Sequence, residues 1–121
     1  MGQKAERIAY PLTFLLRREG GQWSSLACEV DVASCGETLE EAREGLKEAV
    51  GLYISAMLEE GKRDSIARPV PQDALREFMA EGDEAPRIEY YTLIVVPVPD
   101  MEMEFVPSEL APAGSSLAAA H

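Results

Sequence analysis

Apolar and polar positions alternate through the first third of the chain, in "AYPLTFLLRREGGQWSSLACEVDV". Tyr10, Leu12, Phe14 and Leu16 share one parity against Thr13 and Leu15. Leu26, Cys28, Val30 and Val32 share one parity against Ser25, Ala27, Glu29 and Asp31. A period of two is the mark of a half-buried strand. "EGGQ" between the two runs supplies the glycines of a tight hairpin turn. A short extended piece through Ala33 and Ser34 is a candidate third strand.

The period then changes. Leu39, Ala42, Leu46, Ala49, Val50, Tyr53, Met57 and Leu58 recur at steps of three and four, which predicts a helix from Leu39 to about Glu60. Glu40, Arg43, Glu44, Lys47 and Glu48 fill its polar face. Thr38 precedes it and Glu41 lies three residues on, the pattern of a capping box. Gly36 is the expected sharp turn into the helix, and Gly61 the expected C-terminal stop. Gly45 and Gly51 interrupt the helix and mark expected close approaches to the sheet. At about 33 Å the helix is long enough to cross one face of a small sheet.

"KRDSIARPVPQDALREFMAEGDEAP" is a connector held extended by Pro69 and Pro71, with a candidate short helix over "DALREFMAEG" capped by Asp73 and stopped by Gly82. In "RIEYYTLIVVPVPD" both parities are apolar, which predicts a central strand covered on both faces. The long helix covers one face, so the other is expected to need a second copy of the chain or a partner. "MEMEFV" alternates strictly, as a last strand or as an arm that adds to another subunit's sheet. From Pro107 the chain is Pro-, Ala- and Ser-rich and reads as flexible. The expected division is a domain over 1–100 and a tail over 101–121, acidic and then Pro/Ala/Ser-rich, with a candidate extra strand at 101–106.

Composition narrows the chemistry. The 121 residues carry 22 acidic and 11 basic side chains, a formal net charge of −11, with the excess shared by both halves. Such a field repels phosphates, so direct nucleic-acid binding is not expected. A basic protein partner is the natural complement, and solubility alone is the bland alternative. Cys28 and Cys35 are the only cysteines, too few for a disulfide framework or a zinc site. No apolar run reaches the ~20 residues of a membrane span, and no leader is apparent. The reading is a cytoplasmic protein with reduced thiols, no cofactor and no resident metal.

No catalytic set stands out. Glu29 and Asp31 share a strand face and would fit a metal corner or a solvated surface. The only histidine is residue 121, so no serine has a base to activate it. Cys35 lies just before the helix N-terminus, where a thiolate is favoured, but among carboxylates that oppose ionisation. Cys28 faces inward as a packing residue. Trp23, just past the glycine turn, anchors an interface or closes the end of the core.

One stretch resembles a known family. "DVASCGETLEEAREGLKEAVGLYISAMLEEG" is similar to the small HicB antitoxins, in which a strand ends in a turn that opens a helix of this pattern. Gly36, Thr38, Glu40, Glu41, Ala42, Leu46, Glu48, Ala49, Leu52 and Tyr53 match as they stand. The order of hairpin, helix, "RPVP" connector and late apolar strand matches too, over about residues 8–100. Cys35 stands where the family usually has Gln, and Gly45 where it often has Asn. Residues 101–121 are too short and too acidic for the family's C-terminal DNA-binding modules, so operator binding by this chain is not implied.

The expected fold class is therefore α+β: a small antiparallel sheet of hairpin, third strand and later central strand, with one long helix packed on one face. The resemblance implies the family's partial ribonuclease H-like version of that fold, without an acidic catalytic cluster. It implies an antitoxin that neutralises a small basic HicA-like mRNA-cleaving toxin by stoichiometric binding, without being an enzyme, and that assembles as a homo-oligomer. The structural cap residues are Gly36, Thr38 and Glu41. The candidate partner-binding residues are Trp23, Met101, Met103 and Phe105. The alternatives are an orphan protein-interaction domain of the same fold, a metal-dependent nuclease, or a Cys35 redox protein.

Overall fold

The computed structural model describes residues 6–109. Five strands form one antiparallel sheet: β1 (Ile8–Glu19), β2 (Gln22–Ala27), β3 (Val32–Gly36), β4 (Arg87–Val96) and β5 (Glu102–Ser108). Their spatial order is β3-β2-β1-β4-β5. Helix α1 (Leu39–Glu59) lies on one face; a 3-10 turn at Arg63–Ser65 and helix α2 (Gln72–Ala80) follow it.

Glu19 pairs with Gln22, so the hairpin turns on Gly20 and Gly21, and Gly20 takes the left-handed φ of +61°. The second strand is shorter than its alternation predicts. It ends at Ala27, residues 28–31 turn, and Asp31 sits at φ 51°. The turn breaks the expected common face: Leu26 and Cys28 pack on the α2 side, Val30 and Val32 with the α1 core. The connector occupies the backbone there, with Val70 N–H donating to Cys28 O at 2.9 Å and Arg68 N–H to Glu29 O at 3.0 Å.

The Thr38 hydroxyl accepts from Glu41 N–H at 3.0 Å and starts α1. The reciprocal arm of the box, from Thr38 N–H to the Glu41 carboxylate, is absent among the described residues, so the cap is one-sided. At the other end Gly61 (φ +70°) donates to Leu58 O and Lys62 N–H to Met57 O, a Schellman motif. Ala42, Leu46, Val50 and Ile54 are buried along α1 over Leu12, Phe14, Leu16, Leu93 and Val95. Ile54 completes the four-residue steps of that stripe and was missing from the sequence reading.

Small residues set how closely α1 lies. Ser25 is buried and its hydroxyl donates to Ala42 O at 2.9 Å. A Cβ on Gly45 would stand 2.7 Å from Ser34 Oγ, so this glycine does mark a close approach. One on Gly51 would meet Met103 Sδ at an ordinary 3.5 Å, so that glycine does not. Gly36 turns tightly for a different reason than φ: its Cβ would lie 2.6 Å from Glu41 Cβ and 2.7 Å from Ala42 N.

The second face of the sheet has an occupant from the same chain. Leu75, Phe78 and Met79 of α2 pack on Leu15, Leu26, Cys28, Val70 and Ile88. Arg17 locks the helix down, its guanidinium 4.3 Å from the Phe78 ring centre and bonded to Phe78 O at 3.2 Å. Asp73 is not the cap. Pro71 holds the N-cap position and Leu75 N–H donates to its carbonyl, which leaves Asp73 in the first turn. Cover by α2 stops near Ile88, and Tyr90, Thr92, Ile94 and Val96 remain half-buried on that face.

The strand expected at 101–106 lies at Glu102–Ser108 and pairs with β4 in the same sheet, so the folded unit passes residue 100. The Pro/Ala/Ser-rich segment from 110 onward, with His121, lies outside the described residues.

Candidate functional site

On the β2 side, β1 outruns its neighbour. β4 pairs with β1 from Ile8 to Leu16, but β2 pairs only from Phe14 onward. The 28–31 turn and the connector line this notch and leave a half-open cavity of about 300 Å³. Tyr10, Leu12, Val30 and Ile66 give it walls that are almost wholly apolar, and Glu29, Arg63 and Asp64 border it.

Glu29 is neither a solvated surface group nor part of a metal corner. Its Oε1 accepts from Thr13 N–H and its Oε2 from Thr13 Oγ, both at 2.7 Å. The carboxylate takes the place of the strand carbonyl that β1 lacks there. Burial pushes its pKa up, and the Thr13 bonds offset part of that. The Tyr10 hydroxyl is buried with no hydrogen-bond partner among the described residues, and burial raises its pKa. Arg63 is engaged at the rim by Glu6, through bonds of 2.9 and 3.0 Å.

A second polar cluster, under α1, is complete in itself. Glu89 receives Arg43 through two bonds of 2.7 Å, Arg87 at 2.7 Å and the Tyr91 hydroxyl at 2.8 Å. Arg43 holds the Glu89 carboxyl down at about 2, while burial and then the Glu89 bond push the Tyr91 hydroxyl up to about 12. Every acceptor site is taken, so this group ties α1 to β4 and offers little to a ligand.

The candidate partner residues are distributed differently. Trp23 is half-buried and packs against the main core at its β2 end. Met101 and Met103 are also half-buried against that core. Phe105 stands 6.2 Å from Phe14 and 6.4 Å from Tyr91, edge-on to both. These four side chains face inward, whereas Glu102 and Glu104 of the same strand are exposed. Gly36, Thr38 and Glu41 sit together at the β3–α1 turn, as a structural corner. Leu52, one of the residues that carry the family resemblance, is 65% exposed on α1.

Cys28 is buried in the α2-side core, which pushes its thiol up to about 12; Cys35 is exposed on the edge strand β3. Among the described residues no three His, Cys, Asp or Glu side chains group as a metal site. No described helix is long and apolar enough to cross a membrane.

Sequence reasoning missed the Thr13–Glu29 pair, Tyr10 and Arg63. A signal was present, since Thr13 and Glu29 are polar intrusions in apolar runs. Their pairing across sixteen residues depends on where β2 stops, which alternation does not show. No family model, curated protein or solved structure matches the chain.

Proposed function

We propose that this chain is a HicB-like antitoxin domain with a partial ribonuclease H-like fold, which neutralises a small basic HicA-like ribonuclease by stoichiometric binding. The observation that carries the reading is the β3–turn–α1 unit. The residues that resemble the family's signature form a strand, a tight glycine turn and a Thr38-capped helix on an antiparallel sheet. Leu52 adds to it: the core gives this signature residue no reason to be apolar, and a partner would. A net charge of −11 steers a basic toxin toward the domain, and occlusion of an RNA-cleaving surface requires no chemistry. In this reading the domain is not an enzyme, works in the cytoplasm without cofactor or direct nucleic-acid contact, and self-associates.

The test is capture of tagged protein from lysate of the source organism, with intact masses of what co-elutes. A stoichiometric basic protein somewhat smaller than this chain, whose RNA cleavage stops on addition of the domain, is the expected result. Elution of the domain only with itself would favour an orphan interaction domain. Specific Mg²⁺- or Mn²⁺-dependent cleavage of nucleic acid, or a redox activity lost in Cys35→Ser, would replace both with an enzyme.

A further inference from the structure

We propose that two copies of this chain pack the open parts of their α2-side sheet faces together, β4 over β4, with Arg7 of each copy on Glu102 and Glu104 of the other. The inference deepens the self-association in the proposed function and rests on it; the toxin plays no part. Strand register sets this surface out in rows. Ala9 lies opposite Ile94, and Ile94 opposite Glu104. Val96 lies opposite Glu102, and Arg7, one residue before the Ile8–Val95 pair, is opposite Val96. These side chains alternate onto the same face as Ile88, beyond the reach of α2. Arg7, Ile94, Val96, Glu102 and Glu104 line one groove there.

The face is therefore polarised across the strands. Its middle is apolar and half-buried, its β5 flank carries two exposed carboxylates, and its β1 flank carries one exposed guanidinium. None of these three charges forms an ion pair among the described residues, whereas Glu6, the neighbour of Arg7, is taken by Arg63. A twofold axis running along β4 turns the β1 flank of one copy over the β5 flank of the other. Apolar centres then meet at the ~10 Å spacing of packed sheets, and both Arg7 side chains face carboxylates. The charge pattern fits a second copy best. An unrelated basic protein would gain at Glu102 and Glu104 and lose at Arg7. A twofold axis across the strands would lay β1 over β1 and leave Arg7 far from the glutamates. The net charge of −11 opposes association, so the complementarity of the strip has to supply the specificity. The strip is short, which places the dimer among weak, micromolar associations.

The test is sedimentation equilibrium of the full chain across micromolar concentrations, with charges reversed on each flank in turn. Arg7→Glu, and the double variant Glu102→Arg with Glu104→Arg, should each weaken the dimer about tenfold or more. The double variant is the sharper of the two, because it lowers the net negative charge and would tighten a dimer opposed only by the general field. Mixing the two variants in equal amounts should restore the parent affinity, since every contact between the flanks then joins opposite charges again. Circular dichroism of each variant should match the parent, as all three side chains are exposed. A dimer that neither variant weakens, or weakened variants that do not recover on mixing, would overturn the proposal and move self-association to another surface. A monomer at every concentration would overturn self-association with it. Capture of a toxin bears on neither result, so failure of this arrangement and failure of the antitoxin reading are told apart.

Discussion

The Glu29 carboxylate is held at both oxygens by a single residue, Thr13, through its backbone N–H and its hydroxyl at 2.7 Å each. The contact closes the sheet where β2 has turned away, and it brings a negative charge to the cavity wall. Thr13→Val keeps the shape and removes the hydroxyl, leaving Glu29 Oε2 without its donor in a half-buried place. Urea denaturation should show a loss of about 1–2 kcal/mol. Thr13→Ser should restore most of it. A neutral Thr13→Val would mean that water replaces the hydroxyl at no cost.

Glu29 and Glu89 give opposite slopes of stability against pH. Arg43 lowers Glu89 to about 2 from an ordinary 4.5, so its contribution is complete above 4.5 and is lost as pH falls from there through about 2. Glu29 is raised by burial, so the folded state takes its proton first, and stability is gained as pH falls through that raised value toward 4.5. Unfolding free energies from pH 7 to pH 2 should therefore pass through a maximum near 4.5. Glu89→Gln should flatten the acid limb, at a cost of about 1–2 kcal/mol at neutral pH, since the site is partly screened by solvent. Glu29→Gln should flatten the other limb. Unchanged limbs in both variants would place the pH dependence in the general acidic field.

Most of the architecture was legible in the sequence because period-two and period-3.6 patterns are local. The Gly20–Gly21 turn, the Thr38 cap, the span of α1 and the apolar β4 needed only neighbouring residues. What failed was non-local. Cys28 through Asp31 continue the alternation of β2, and only the docking of Arg68 and Val70 against them reveals a turn. The apolar outer face of β4 pointed to a missing cover, but α2, anchored by Arg17 on Phe78, supplies part of it. The cavity followed from the turn and the docked connector and so was hidden with them.

Three glycines and one cap separate steric from conformational roles. Gly36→Ala should destabilise by more than about 2 kcal/mol, because its Cβ would overlap the backbone of the first turn of α1. Gly51→Ala should stabilise by up to about 1 kcal/mol, as only Met103 Sδ is near and the helix gains propensity. Gly45→Ala should fall between them, since Ser34 Oγ can rotate away at some cost. Thr38→Ala should cost about 1 kcal/mol, whereas Glu41→Gln should be close to neutral because its carboxylate makes no return bond. Thermal melts of the five variants give the order.

The two thiols should react in sequence. Cys35 is exposed, while Cys28 is buried with its thiol pushed up to about 12, so at pH 8 almost none of it is thiolate. Titration with a thiol-specific disulfide reagent should release one equivalent quickly, and the second only at the rate of opening or unfolding. Cys35→Ser should abolish the fast phase and leave stability within about 0.5 kcal/mol. A fast second equivalent would mean that α2 lifts off the sheet readily, because Cys28 packs beneath Leu75 and Phe78.

The exposed part of the α2-side face predicts self-association. Tyr90, Thr92, Ile94 and Val96 lie beyond the reach of α2 on β4, half-buried, and Val106 beside them on β5 is half-buried too. A β4 that is apolar on both sides gains from further cover. Light scattering across micromolar concentrations should show a dimer or larger species, and Ile94→Lys should return it to monomer without loss of helical signal. A compact monomer in the parent protein would show that this strip is stable in water as it stands. Its apolar side chains would then be left for a different protein, rimmed by Glu102 and Glu104 in a way that favours a basic one.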